Sequence, residues 1–84
     1  MPLKIGVLMG GKSDEKDVSI STGNEVLTAL KKLNFYTNRI LIKNNIKDYL
    51  DQFKENDLIF NALHGGEGED GGVQKWMDNN NIKY

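Results

Sequence analysis

The 84-residue chain contains no cysteine. Disulfides, thiolate nucleophiles and cysteine-ligated zinc are therefore excluded. It has one histidine, His64, so a zinc site would lack the further nitrogen or sulfur ligands it needs. Neither sign of charge dominates: 11 basic residues stand against 12 acidic ones. That balance argues against a nucleic-acid surface or a polybasic membrane patch. No apolar run reaches transmembrane length, and the opening "MPLKIGVLMG" lacks a signal-peptide pattern. The expectation is a cytoplasmic chain with no membrane or nucleic-acid partner. A domain this short buries only about two-thirds of the surface its unfolded chain exposes, so one marginally stable domain is expected.

The apolar residues that are present fall into short, regular groups. "LKIGVLM" (residues 3–9) is nearly continuous and reads as a strand buried on both faces, as in a parallel sheet. A helix follows, from Val18 or Ser19 to Leu33, with Gly23, Val26, Leu27, Leu30 and Leu33 on one stripe. Asp17 and Ser19 are both plausible N-caps for it. Gly23 costs a helix up to about 1 kcal/mol relative to alanine, which close packing on the sheet would explain. "FYTNRILI" (residues 35–42) alternates imperfectly, as a strand near a sheet edge would. Ile46, Tyr49, Leu50 and Phe53 mark a short amphipathic helix. "DLIFNAL" (residues 57–63) is a third buried strand. Val73, Trp76 and Met77 mark a last short helix, with Trp76 and Met77 in the core. "NNN" closes that helix, and "IKY" reads as the first residues of a fourth strand, cut short.

There is no internal repeat. The order β-α-β-α-β-α-β predicts an α/β fold: a small parallel sheet with right-handed crossovers and helices on both faces. Ligands of such folds bind beyond the carboxyl ends of the strands, at the topological switch point. Two glycine-rich loops lie at carboxyl ends, "GGKSDEKD" after the first strand and "HGGEGEDGG" after the third. If those strands are neighbours, the loops face each other across one crevice.

Several motif matches fail on physical grounds. "GVLMGGKS" fits the phosphate-loop pattern G-x-x-x-x-G-K-[ST], but Val7, Leu8 and Met9 belong to a strand rather than a loop. Asp14, Glu15 and Asp17 would also repel phosphate, so Lys12 reads as a solvated loop lysine. Gly10-Gly11 lacks the dinucleotide spacing G-x-G-x-x-G. "EGEDGG" lacks the alternating oxygens of a calcium loop. A lone histidine at a strand end is often only structural, and an acid beside a helix start is often only a dipole partner. Together, on facing loops, Glu15, His64 and Glu69 would make a negative, hydrogen-bonding pocket suited to an ammonium. Glu69 and Asp70 also stand where the dipole of the last helix favours acids.

At this point two stretches match a known pattern. "GVLMGGKSDEKDVSISTGNEVLTAL" and "NALHGGEGEDGGVQ" resemble the N-terminal domain of the D-alanine–D-alanine ligases, in the ATP-grasp superfamily. That family carries G-G-x-S-x-E-x-x-V-S, met here by Gly10, Gly11, Ser13, Glu15, Val18 and Ser19. Its second signature, H-G-x-x-G-E-D-G-x-hydrophobic-Q, is met by His64, Gly65, Gly68, Glu69, Asp70, Gly71, Val73 and Gln74.

The resemblance implies a Rossmann-like, pre-ATP-grasp three-layer domain whose last strand is truncated. It implies an ATP-dependent carboxylate–amine ligase of peptidoglycan precursor synthesis. ATP and magnesium activate one D-alanine as an acyl phosphate, and a second D-alanine attacks. Glu15, as the catalytic residue, would hold the ammonium of the first D-alanine. Val18 and His64 would join Glu15 in binding that substrate, His64 by its carboxylate. Ser19, Glu69 and Asp70 would support them.

Departures from the family are local. Lys75 follows Gln74 where a small residue is usual, Lys83 stands at a common proline, and Asp17 replaces a common glutamate. None touches Glu15 or His64. The ATP-grasp domains, which bind ATP and magnesium, are not among these 84 residues. Residues 1–84 are accordingly expected to be a substrate-binding domain, inactive alone, that works with ATP-grasp domains in cis or in trans. No metal or cofactor is expected to bind this chain itself. The alternative is a non-catalytic folding or association module from a split or decayed ligase gene. A receiver-like signalling domain ranks last, because it would need an aspartate where His64 stands. The short fourth strand leaves an edge that invites self-pairing, so a homo-oligomer is one expected outcome.

Overall fold

In the computed structural model, residues 3–11, 16–43, 45–63 and 72–84 are described. Three parallel strands form one sheet: β1 (Lys4–Gly10), β2 (Tyr36–Ile42) and β3 (Leu58–Asn61). Their order is β2-β1-β3. β1 is therefore central, and its buried run Ile5–Gly10 follows from cover on both faces. β2 is an edge strand, which accounts for its irregular alternation. The first and third strands are neighbours, the condition for the two glycine-rich loops to start side by side, with Ile5 opposite Leu58 and Leu8 opposite Asn61.

The helices divide between the two faces. Helix α1 (Lys16–Lys32) covers one face, where Leu27 packs with Val7, Met9 and Ala62. A 3-10 turn (Ile46–Tyr49), helix α2 (Leu50–Lys54) and helix α3 (Gly72–Asn79) lie on the other. There Phe53, Val73 and Met77 pack with Leu8, Ile40, Ile42 and Ile59. Phe53 and Trp76 meet edge to face, with ring centroids 5.1 Å apart. Met77 is fully buried and Trp76 partly so, close to the core role expected of both.

Gly23 owes its place to the close approach of α1 to β1. A Cβ there would fall 2.9 Å from the Met9 Cβ and 2.5 Å from its Cε. Two effects oppose each other in Gly23→Ala. Helix propensity gains up to about 1 kcal/mol, while overpacking costs about 1–3 kcal/mol. Because one clash is with the Met9 Cβ, which cannot swing away, overpacking should win. A net loss of about 1 kcal/mol is expected, measurable as a lower urea midpoint.

Two asparagines end helices by the same device. Asn34 and Asn81 adopt left-handed backbone, φ 66° and 58°. The N–H of Phe35 then reaches the C=O of Leu30, and that of Ile82 the C=O of Met77. These are six-to-one bonds of the Schellman type, and asparagine tolerates the left-handed position better than most residues. Leu33, expected on the buried stripe, is instead 66% exposed, because α1 has already ended beside it. The single short helix expected after Asn45 begins as a 3-10 turn, capped by the Asn45 side chain on the Lys47 N–H.

The expected fourth strand differs too. Residues 82–84 form no strand, yet the Lys83 C=O accepts the Ile59 N–H at 2.8 Å. Three residues are too few to extend that bond into a ladder. Tyr84 Oη donates to the Asp78 carboxylate at 3.1 Å, tying this stretch to α3. No helix among the described residues is long and apolar enough to cross a membrane.

Candidate functional site

The strand order fixes where a ligand site can form. After β1 the chain passes to one face of the sheet, and after β3 to the other. The carboxyl ends of these adjacent strands are thus the switch point, where the two glycine-rich loops begin.

The floor of this crevice is tightly bonded. Gly10 and Gly11 both have φ +93°, a region open chiefly to glycine. A Cβ at Gly10 would lie 2.7 Å from the Ile42 backbone oxygen. The Gly11 N–H donates to that same oxygen at 2.9 Å, fastening the turn to β2. The Gly10 N–H donates to Ser19 Oγ at 2.9 Å, and Ser19 Oγ donates to the Ala62 C=O at 2.8 Å. Ser19 is fully buried. Across the floor, a Cβ at Gly11 would sit 3.4 Å from Leu63 Cδ2, so the bases of the two loops adjoin.

This arrangement corrects the reading of Asp17 and Ser19 as N-caps. Both lie inside α1, which already includes Lys16. The Ser19 hydroxyl is spent on the sheet, where its partners are backbone groups of β1 and of the turn after β3. A buried hydroxyl is retained when it is fully bonded, and this one satisfies both a buried N–H and a buried C=O.

Val18 lies beside Ser19 on α1 and is 53% exposed, so it is open to a ligand. Glu15, His64, Glu69 and Asp70 lie outside the described residues, as does Lys12. The floor therefore brings together Ser19, the two glycines and the residues that lead into the second loop.

Sequence reasoning missed Asn61. Its Oδ1 accepts the Leu63 N–H at 3.0 Å, a side-chain turn that ends β3 directly before His64. The available signal was a lone carboxamide at the end of the apolar run "LIFNAL".

The described residues do not fit a nucleotide site. Val7, Leu8 and Met9 are fully buried within β1, so the phosphate-loop match at Gly6 has no loop. Gly6 serves packing instead, since a Cβ there would lie within 2.9 Å of Ile40 and Ile59. The amides of Gly10 and Gly11 are both engaged within the fold. Among the described residues, no group of three or more acids is placed to hold a metal ion.

Comparison with known proteins gives this geometry a context. No family model matches the chain. A D-alanine–D-alanine ligase from Rhizorhabdus wittichii is 46% identical over 83 residues, covering 99% of this chain and 26% of that protein. The ligase from Pseudothermotoga lettingae is 43% identical over 82 residues, 98% of this chain and 28% of its own length. The crystal structure of the Bacillus anthracis D-alanine–D-alanine ligase complexed with ATP superposes with a TM-score of 0.83 at 42% identity. That match takes in 95% of this chain and 27% of the other. The chain is homologous to the N-terminal domain of the D-alanine–D-alanine ligases. It spans about a quarter of the length of the ligases it matches. The similarity to these ligases runs through both loops of the crevice, since it covers nearly the whole chain.

Proposed function

We propose that this chain is the substrate-binding part of a cytoplasmic D-alanine–D-alanine ligase of peptidoglycan precursor synthesis, holding the first D-alanine. The observation that carries this reading is the adjacency of β1 and β3. It sets the bases of the two ligase-like loops against each other at the switch point.

Glu15 would pair with the ammonium of the amino acid, His64 would lie by its carboxylate, and Val18 would flank its methyl group. Glu69 and Asp70 would support the histidine loop. Three carboxylates in "HGGEGEDGG" make that loop a poor wall for phosphate and a good one for an ammonium. An amino acid held at both ends presents its carboxylate in a fixed direction, which is catalysis by positioning. ATP with magnesium, bound by ATP-grasp domains beyond these residues, would supply the phosphoryl group that activates that carboxylate. The 84-residue chain alone is therefore inactive.

The only histidine gives a clean probe. In an NMR titration, D-alanine should shift the His64 ring signals and L-alanine should shift them far less. Binding should be weak, about millimolar or poorer, because a ligand of few atoms meets only part of its contacts. Identical shifts with both enantiomers would overturn the reading.

One observation favours a second reading, a non-catalytic association module. Phe60 of β3 is 45% exposed, and β3 lies at the edge of the three-stranded sheet. Such an edge can pair with a second copy. That module would shift none of its His64 signals with D-alanine.

A further inference from the structure

Ser19 occupies a special position in the sheet ladder. β1 and β3 run parallel with Leu8 opposite Asn61, and the Ala62 N–H donates to the Leu8 C=O at 2.9 Å. In a parallel ladder the next bond in this register would run from the Gly10 N–H to the Ala62 C=O. Those two groups are the partners of Ser19 Oγ. The hydroxyl has been inserted into the ladder. It accepts from one strand and donates to the other, so both groups stay satisfied while the strands stand one oxygen further apart.

We infer that Ser19 is a positioning residue, a hydroxyl wedge that parts the ends of β1 and β3 and so sets the width of the amino-acid crevice. The inference rests on the substrate reading above and deepens it. Three surroundings hold the wedge in place. Gly23, one helical turn along, seats α1 directly on Met9. The Gly11 N–H fastens the β1 end to β2, so β1 cannot follow β3. Leu63 closes the floor below against Gly11. A crevice with so fixed a base discriminates by size: an added methylene in a fitted pocket changes affinity by about 10–200-fold.

Removing the hydroxyl leaves a buried N–H and C=O that are already ladder partners by register. They should close on each other. The test is NMR on Ser19→Ala and Ser19→Thr. In Ser19→Ala a through-hydrogen-bond coupling should appear between the Gly10 nitrogen and the Ala62 carbonyl carbon. It should be absent from the parent and from Ser19→Thr, which keeps the hydroxyl. The Gly11 amide, bonded to Ile42 and not to Ser19, reports that the fold is intact.

D-alanine should bind Ser19→Ala about ten-fold more weakly, by the same size argument, and Ser19→Thr nearly as the parent does. No new coupling in Ser19→Ala would overturn the wedge. A new coupling with unchanged D-alanine affinity would overturn its role in the crevice. If the parent binds no D-alanine, the substrate reading fails, and with it the role in an amino-acid crevice; the coupling alone then decides the wedge. Should Ser19→Ala not fold, Ser19→Cys tests the opposite direction. The larger sulfur should widen the gap and favour bulkier D-amino acids over D-alanine; unchanged preference overturns the inference.

Discussion

Phe53→Ala is expected to leave the domain unfolded at urea concentrations that the parent survives. Phe53 is fully buried and is the only buried residue of α2. A five-residue helix has no stability of its own, so tertiary anchoring holds it in place. The Phe53 ring provides that anchor among Leu8, Ile40, Ile59 and Met77, with its edge contact to Trp76. Phenylalanine-to-alanine changes in cores cost about 3–5 kcal/mol. A chain of 84 residues has a total stability of only about 4–13 kcal/mol at ordinary values per residue. With a urea slope of about 1 kcal/mol per molar, the midpoint should fall by roughly 3 M or more. Phe53→Leu should lose much less, since it keeps most of the volume. A Phe53→Ala midpoint within about 0.5 M of the parent would show that the second face does not depend on this ring.

Glu15→Gln should have the largest effect on function, with little on stability. In the proposed role Glu15 bears the negative charge opposite the D-alanine ammonium. The amide keeps the shape and one acceptor oxygen but loses the charge. Breaking a buried, hydrogen-bonded charge pair costs about 2–5 kcal/mol. In a ligase reassembled from this chain and the remaining segment of a related ligase, that corresponds to a fall of roughly 30-fold or more in kcat/KM for the first D-alanine. The urea midpoint should stay close to that of the parent. A variant with full activity would remove Glu15 from the site.

The layout of the fold was legible because its signals are local. The unbroken run of β1, the stripe of α1 and the glycine-bearing strand ends each depend on neighbouring residues. The adjacency of β1 and β3 was only a condition for the two loops to meet, and the sheet order supplies it. Other features depend on partners distant in sequence. A serine near a helix start reads as a cap, and only the sheet register shows that Ser19 bonds residues 10 and 62. Asn61 sits inside the apolar run read as a strand to Leu63, and its side chain ends β3 two residues earlier. Leu33 fits the α1 stripe by spacing, but Asn34 turns the chain before the sheet can cover it. The site itself was legible in a different way. Glu15, His64, Glu69 and Asp70 were selected by charge, by loop position and by resemblance to the ligases, and they lie outside the described residues. What the fold adds is the floor on which their loops stand.

On the proposed reading, these 84 residues supply one part of a ligase active site. The most direct measurement mixes the chain with the Bacillus anthracis ligase lacking the quarter it matches, and follows ADP and dipeptide formation from ATP and D-alanine. The expected result is no turnover by either part alone and ligation by the mixture, lost on Glu15→Gln. Robust turnover by this chain alone, or none from the mixture at any ratio, would contradict it.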